Sequence, residues 1–169
     1  MPLRLSDGNI ALYALTTRPK NLAAPTVEEI KKGVRVDCAI NKEDYKLGPT
    51  GSSTIGEVPL CKRGDGKSFG PSQYEGSVTP FWYLDENGRP VEAEMKVWNL
   101  FKTKGTTLYL VEREGPEADV EIAENDIVSV YEVITDVAQT PSGRTVGYIK
   151  RIVPLGVLDA RLDVFVKAA

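Results

Sequence analysis

The feature that most limits the fold of this chain is the alternation of apolar and polar residues in short segments bounded by glycine and proline. The 169 residues include 15 Gly and 11 Pro. A period of two places successive side chains on opposite faces of a strand, and Gly and Pro end strands in turns. Strands are predicted over Asn9–Leu15, Val34–Ile40, Ser53–Cys61, Gly76–Leu84, Thr106–Arg113, Asp126–Val137, Thr145–Leu158 and Arg161–Lys167. About eight short strands with turns between them predict a mainly β chain, an antiparallel β-sandwich or barrel that carries one packed α-helix.

A short helix is predicted over Pro25–Gly33. Thr26 and Glu29 have the spacing of a capping box, in which each side chain satisfies a backbone N–H group at the start of a helix. Gly33 follows two lysines and is a typical helix stop.

Residues 91–103 are ambiguous between strand and helix. Up to residue 97 they alternate as a strand would, but they are good helix formers and end in Lys102–Gly105. One helical stripe would contain Val91, Met95, Trp98 and Phe101. We favour the helix, with that stripe facing the core.

The predicted strand Asp126–Val137 is apolar on both faces. In an antiparallel sheet one face normally meets water, so a strand of this kind needs a cover on each side. Either a helix within the domain or a neighbouring subunit could provide it.

The absence of histidine excludes several functional classes. Ser-His-Asp and Cys-His catalysis and a Cys2His2 zinc site all require that residue. The two cysteines, Cys38 and Cys61, are too few for a four-thiolate site. We expect reduced thiols of a cytosolic protein, and the alternatives are a disulfide between them or a reactive thiol. The predicted strand Val34–Ile40 would place Cys38 on its apolar side.

Two short motifs resemble ligand-binding loops but fail on spacing. Gly64–Ser68 lacks the first glycine of a phosphate-binding P-loop, which would fall at Cys61, and Asp85–Gly88 lacks the ligand order and closing Glu of an EF-hand. No catalytic, cofactor or metal site is predicted. No run of 18 apolar residues occurs, so no transmembrane helix is predicted either.

The net charge of −3 hides an uneven distribution. Residues 111–140 carry nine carboxylates and one cation, Arg113, which is a local net charge of −8. The overall charge argues against a basic nucleic-acid cradle. The acidic segment is either a solvated loop and strand face, or a patch that repels polyanions or attracts a basic partner.

At this length one domain over residues 1–169 is expected, large enough to fold around a single core. Residues 47–76 differ from the rest in being rich in Gly and Pro. We interpret them as a long hairpin or an extended excursion from the core, and excursions of this length are usually functional or disordered.

Six segments together carry a family resemblance: Asp7–Ile10, Pro25–Ile30 running into Gly33–Ile40, Tyr74–Thr79, Leu108–Gly115, Asn125–Tyr131 and Ile149–Leu155. In this order the chain resembles the tail-tube (major tail) protein of long-tailed, non-contractile bacteriophages of the siphophage type. The resemblance spans nearly the whole chain. Residues 47–72, where family members vary in length, are not matched.

The resemblance implies a β-sandwich with a packed helix, assembled as hexameric rings that stack into a tube. Neighbouring sheets would close into a continuous barrel, and DNA would pass through its lumen at infection without specific binding. The implied partners are other copies of the chain, the tape measure and the tail terminator. A structural protein of the virion is implied, assembled in the host bacterial cytoplasm, with no catalysis, cofactor or membrane.

Residue roles follow from the resemblance as hypotheses. Glu132 and Asp136 share a predicted strand face and are the lumen candidates, since an acidic wall lets DNA slide without sticking. Contacts between rings are assigned to the Gly/Pro-rich segment, at Gly48, Thr50, Gly51, Ser52, Ser53, Lys62 and Arg63.

Two other interpretations stay open. The chain could be a monomeric β-sandwich binding or adaptor module that uses the acidic segment as its partner surface. It could also be another head–tail joining component of the virion. Hollow tubes or sixfold rings would distinguish the tail tube from a strict monomer.

Overall fold

A computed structural model describes residues 2–169 and contains seven strands and two short α-helices. The strands are β1 Ile10–Leu15, β2 Val34–Arg35, β3 Lys46–Ile55, β4 Ser68–Val78, β5 Thr107–Glu114, β6 Ile127–Thr135 and β7 Val153–Phe165. The helices are α1 Val27–Lys31 and α2 Lys96–Phe101. Every strand pair is antiparallel, in the order β2-β1-β5-β6-β7-β4-β3. With 41% strand and 8% helix, the structure confirms the mainly β, antiparallel class.

The seven strands form one continuous sheet that folds over itself. β7 pairs with β4 only through Val153–Leu155, after which the two strands separate. Tyr45, Leu47 and Tyr74, at the base of β3 and β4, pack against the core residues of β1, β5 and β6. The sheet thereby encloses a core between two layers, as a sandwich or barrel does.

Strand β6 buries both of its faces within the chain. On one face Val133 shares a core with Phe101 of α2, and on the other Val130 shares a core with Ile30 of α1. The cover predicted for this strand was either a helix within the domain or a neighbouring subunit. The structure shows helices within the chain on both faces. Full burial of each such side chain contributes roughly 1.5–3 kcal/mol, so the β5–β6 region is the centre of stability.

Helix α1 has the predicted capping box. The Glu29 N–H donates to Thr26 Oγ1, and the Thr26 N–H donates to Glu29 Oε2. Gly33 ends the helix where β1 passes close by. A Cβ atom at this position would lie 2.9 Å from the Ala14 carbonyl oxygen, so only glycine fits without a shift of the backbone.

Helix α2 confirms the helical interpretation of residues 91–103 but is shorter than predicted. The Val91 N–H donates to the Tyr83 carbonyl, so the chain is still bound to the preceding segment there. A turn over residues 92–95 follows, and α2 begins at Lys96 without a side-chain cap. Met95 and Phe101 of the predicted stripe are buried.

The strand predicted over Val34–Ile40 is wrong beyond Arg35. The chain enters a 3-10 turn at Asp37–Ala39, because the Asp37 carboxylate accepts from the Leu12 N–H and from the Arg35 guanidinium. The apolar side holds Val36 and Ile40, and Cys38 is exposed. The placement of Cys38 on the apolar side was therefore also wrong. Both cysteines are free thiols.

The two strands predicted over Thr145–Leu158 and Arg161–Lys167 are a single strand, β7. Turns occupy residues 142–148, so β7 begins only at Val153. Two irregularities in its register with β6 break the alternation, and at one of them Asp163 adopts φ 51°. Such β-bulges keep a strand paired while shifting its side-chain pattern, which made one strand look like two.

Strands β3 and β4 also differ from their predicted ranges, Ser53–Cys61 and Gly76–Leu84. Pro49 lies inside β3, paired with Tyr74. Proline is tolerated in this position because β3 is the last strand of the sheet and needs donors on one side only. Within residues 2–169, neither helix has the length and apolar character needed to cross a membrane.

Candidate assembly surfaces

The outer part of the β3–β4 hairpin projects from the rest of the molecule. Its register runs from the Pro49–Tyr74 pair to the Ile55–Ser68 pair. None of residues 49–73 is buried. At about 3.3 Å per residue, the paired part alone extends about 20 Å, and residues 56–67 form a loop at its tip. The chain therefore forms a long hairpin whose outer side chains do not pack in the core.

The hairpin carries the residues assigned to contacts between rings. Gly48 lies at the base, where a Cβ atom would be 4.0 Å from the Tyr131 hydroxyl oxygen. Thr50–Ser53 lie along the projecting arm. Lys62 and Arg63 are exposed in the tip loop. The structure thus places Thr50–Ser53 together and separates them from Lys62 and Arg63.

The lumen candidates each lie beside a cation. Glu132 is on β6, and its Oε2 is 2.9 Å from Nη1 of Arg18. Asp136 lies just past the end of β6, and its Oδ1 is 3.9 Å from Nζ of Lys104. The net charge around each carboxylate is therefore close to zero.

Strand β7 has a long unpaired edge. Beyond Leu155 it pairs with β6 on one side, and no strand among residues 2–169 pairs with Gly156–Phe165 on the other. Leu158, Leu162 and Phe165 of this segment are exposed, at 59%, 38% and 53%. An open edge with apolar side chains is a surface on which another strand can pair.

The acidic loop between β5 and β6 is organised by one buried cation, Arg113. Its guanidinium is fully buried and forms an ion pair with Asp126 at 3.1 Å. It also donates to the backbone carbonyls of Glu117, Val120 and Glu121. The loop therefore has a defined shape, held through its backbone carbonyls and the Asp126 carboxylate.

A half-buried hydrogen bond joins the Tyr45 hydroxyl to the carboxylate of Glu112 on β5. Burial raises the pKa of the Glu112 carboxyl, with a smaller contribution from Glu114. Burial also raises the pKa of Tyr45 above its usual value, and that of Tyr131 to about 12. The contact connects the base of the hairpin to the central sheet.

A cavity of about 540 Å³ lies beside β1 and the 3-10 turn. Ile10, Leu12 and Tyr45 contribute apolar walls, and Cys38 lies at its edge. Partial burial of its sulfur and the adjacent Asp37 carboxylate raise the pKa of the Cys38 thiol, which disfavours the nucleophilic thiolate. Among residues 2–169, no three metal-ligating side chains come together as a site.

Two of these features could not be located by sequence reasoning. Arg113 was visible as the one cation in an acidic segment, but its burial was not predicted. The open edge of β7 had no visible signal, because strand order is set by contacts distant in the chain.

A protein-family model described as "Phage tail tube protein" matches residues 1–169, the whole chain. No curated protein matches this chain. The match agrees with the mainly β architecture and with the resemblance carried by six separate segments. The chain therefore belongs to the phage tail tube protein family.

Proposed function

We propose that the protein forms hexameric rings that stack into the tail tube and provide the conduit for DNA ejection. As a member of the tail tube family it is a structural component of the virion. The siphophage type and the number of six copies per ring are taken from the resemblance. The observation that carries the proposal is the unpaired edge of β7.

That edge supports assembly by sheet extension. Along Gly156–Phe165 the outward backbone groups have no strand partner within residues 2–169, and the exposed Leu158, Leu162 and Phe165 lie next to them. Of these groups, only those of Ala160 already have side-chain partners, since its N–H donates to Asp159 and its carbonyl accepts from Arg161. A strand from a neighbouring copy would satisfy these groups and bury the apolar side chains in one step. Repeated around a ring, such pairing would close the sheets into a barrel with no free edge.

The projecting hairpin supports contact between rings. Its outer part buries nothing within its own chain, and a two-stranded hairpin alone is marginally stable in water. Packing against the next ring would supply the missing contacts. Residues Gly48, Thr50–Ser53, Lys62 and Arg63 stay our candidates, with those on the arm and tip favoured over Gly48 at the base.

For the lumen we retain Glu132 and Asp136. If they face DNA, Arg18 and Lys104 face it as well, and the wall is nearly neutral rather than strongly acidic. A nearly neutral wall also lets a polyanion pass without specific binding. A cryo-EM reconstruction that placed both carboxylates on the outer wall would contradict this assignment.

The remaining parts of the proposal concern domains and partners. We treat residues 1–169 as one tail-tube domain with the hairpin as its extension. We expect other tail proteins, such as the tape measure and the tail terminator, to be partners of the assembled tube.

Negative-stain microscopy of the purified protein, together with light scattering, tests the proposal. We expect hollow tubes or sixfold rings at high protein concentration. A strict monomer under all conditions would favour the binding or adaptor module instead. Introducing Leu158→Lys and Leu162→Lys on the open edge should abolish rings. Glu28→Gln and Glu43→Gln, at two exposed positions outside the edge and the hairpin, add the same charge and are the matched control.

A further inference from the structure

The two loops that flank β6 differ in charge and lie at opposite ends of that strand. The loop Gly115–Asp126 precedes β6, and residues 141–151 lie in the connection that follows it. Nine residues of strand separate the two ends by about 30 Å. We call the loop Gly115–Asp126, together with the neighbouring ends of β5, β6 and β7, the acidic end. We call residues 141–151 the basic end.

The acidic end combines unpaired carboxylates with exposed apolar side chains. No cation among residues 2–169 forms an ion pair with Glu114, Glu117 or Glu124, all of which are exposed. The exposed apolar side chains here are Val120, Ile127 and Phe165, at 50%, 49% and 53%. Because Arg113 holds the loop backbone, this surface keeps its shape before any partner binds.

The basic end has the opposite charge and a similar apolar content. Residues 141–151 contain Arg144, Lys150 and Arg151 and no acidic residue. None of the three cations forms an ion pair within the described part of the chain. The exposed apolar side chains are Val146, Tyr148 and Ile149, at 77%, 82% and 46%.

Two aromatic contacts hold the basic end in place. The Tyr148 ring meets the Phe81 ring edge to face, with 6.1 Å between centroids. The Arg151 guanidinium lies 4.3 Å from the centroid of the Trp82 ring. The loop is therefore anchored to the segment before α2, although its apolar side chains face solvent.

We propose that the acidic end of one copy docks onto the basic end of a second copy. Three carboxylates without ion pairs would meet Arg144 and Lys150 around a centre of apolar side chains. Arg151, which lies on the Trp82 ring, would add to the positive charge. Contact between like ends would bring like charges together, so the charges also set the direction of stacking. A contact between two different surfaces of the same chain repeats without limit and builds a filament, unless rotation closes it.

This inference rests on the proposed function, because it assigns the surfaces through which tail-tube rings would stack. The contact joins opposite ends of β6 in two copies, and it shares only Phe165 with the sheet extension at the edge of β7. The hairpin would add a second contact between the same rings.

Charge reversal at each end tests the inference. One variant carries Glu117→Lys and Glu124→Lys, a second carries Arg144→Glu and Lys150→Glu, and a third carries all four changes. Each single-end variant should need a roughly tenfold or higher protein concentration to form tubes, which corresponds to about 1.4 kcal/mol. The variant with all four changes restores opposite charges and should recover tube formation.

A matched control carries Glu28→Lys and Glu92→Lys, two exposed positions outside both ends. Its charge change equals that of the acidic-end variant, and its tubes should form as those of the unaltered protein do. Circular dichroism verifies that each variant is folded. The inference would be overturned if the fourfold variant did not recover tube formation, or if both single-end variants formed normal tubes. In either case, tubes of the unaltered protein would still uphold the proposed function. If the unaltered protein forms no assembly, both proposals fail.

Discussion

Two antiparallel strand pairs of similar length differ sharply in what they bury. β5 and β6 have eight and nine residues, and β3 and β4 have ten and eleven. Val111 and Val130 in the first pair are completely buried, whereas no residue from 49 to 73 in the second pair is. Backbone pairing alone therefore does not determine which strands contribute most to the free energy of unfolding.

This contrast separates the part of the chain that forms the core from the part that is available for assembly. β5 and β6 are covered by helices on both faces, so their side chains are committed to the core. The two strands of the outer hairpin pair with each other but leave their side chains to solvent. The four experiments below test this division, from the largest expected effect on stability to the smallest.

Phe101→Ala should cost the most stability. Phe101 of α2 is completely buried against the β5–β6 sheet, and its truncation leaves a large cavity. We expect the free energy of unfolding to fall by about 3–5 kcal/mol, measured by urea denaturation. Phe69→Ala on the hairpin is the matched control, because that side chain is 77% exposed. Equal losses for the two variants would remove the distinction between the regions.

Arg113→Met should have the next largest effect. It removes the guanidinium that binds Asp126 and three backbone carbonyls, and leaves those acceptors near the core. We expect a loss of about 2–4 kcal/mol and faster amide exchange in residues 115–126. Arg144→Met, which removes an exposed arginine without an ion pair, should change stability by less than about 0.5 kcal/mol. Unchanged exchange in the Arg113 variant would show that the loop does not depend on this residue.

Glu112→Gln should change how stability depends on pH. Because burial raises the pKa of Glu112 above its ordinary 4.5, the folded state binds more protons than the unfolded state between those two values. The free energy of unfolding therefore falls as pH rises through this window, and Glu112 costs stability at neutral pH.

The Gln variant keeps a polar partner for Tyr45 without the charge. In urea titrations at several pH values it should be the more stable protein at pH 7, and the difference should disappear below the ordinary pKa. Glu43→Gln, at an exposed position, is the control. A variant that is less stable at pH 7 would indicate that the charged form of Glu112 is stabilising.

Removal of the outer hairpin should have the smallest effect on folding. Replacing residues 50–73 by Asn-Gly joins Pro49 to Tyr74, which already pair, through a tight two-residue turn. We expect the free energy of unfolding to stay within about 1 kcal/mol, because no buried residue is lost. Microscopy of the same variant should show no tubes, and normal tubes would refute a role of the hairpin in contacts between rings.

Local signals in the sequence predicted those elements that depend on neighbouring residues. The capping box of Thr26 and Glu29 involves groups three residues apart, and it predicted α1 correctly. The apolar residues on both faces of β6 predicted that a cover was needed. They could not say which element supplies it, because α1 and α2 lie far from β6 in the chain.

The errors share one physical cause, which is a distant contact that overrides a local pattern. Cys38 follows the alternation of a strand, but the Asp37 carboxylate binds the backbone of β1 and turns the chain. The sequence of β7 has the pattern of two strands because β-bulges interrupt its alternation. Pairing with β6 keeps the segment a single strand. Among the candidate assembly residues, the sequence grouped Lys62 and Arg63 with Thr50–Ser53, and the hairpin separates them.

Three properties of this chain can be predicted without its structure: it is mainly β, it has no histidine chemistry, and it carries its acid in one segment. Those properties follow from composition and from periods of two to four residues. The burial of Arg113 and the open edge of β7 are visible only in the folded chain. Burial and strand order depend on residues far apart in the chain, so no local pattern contains them.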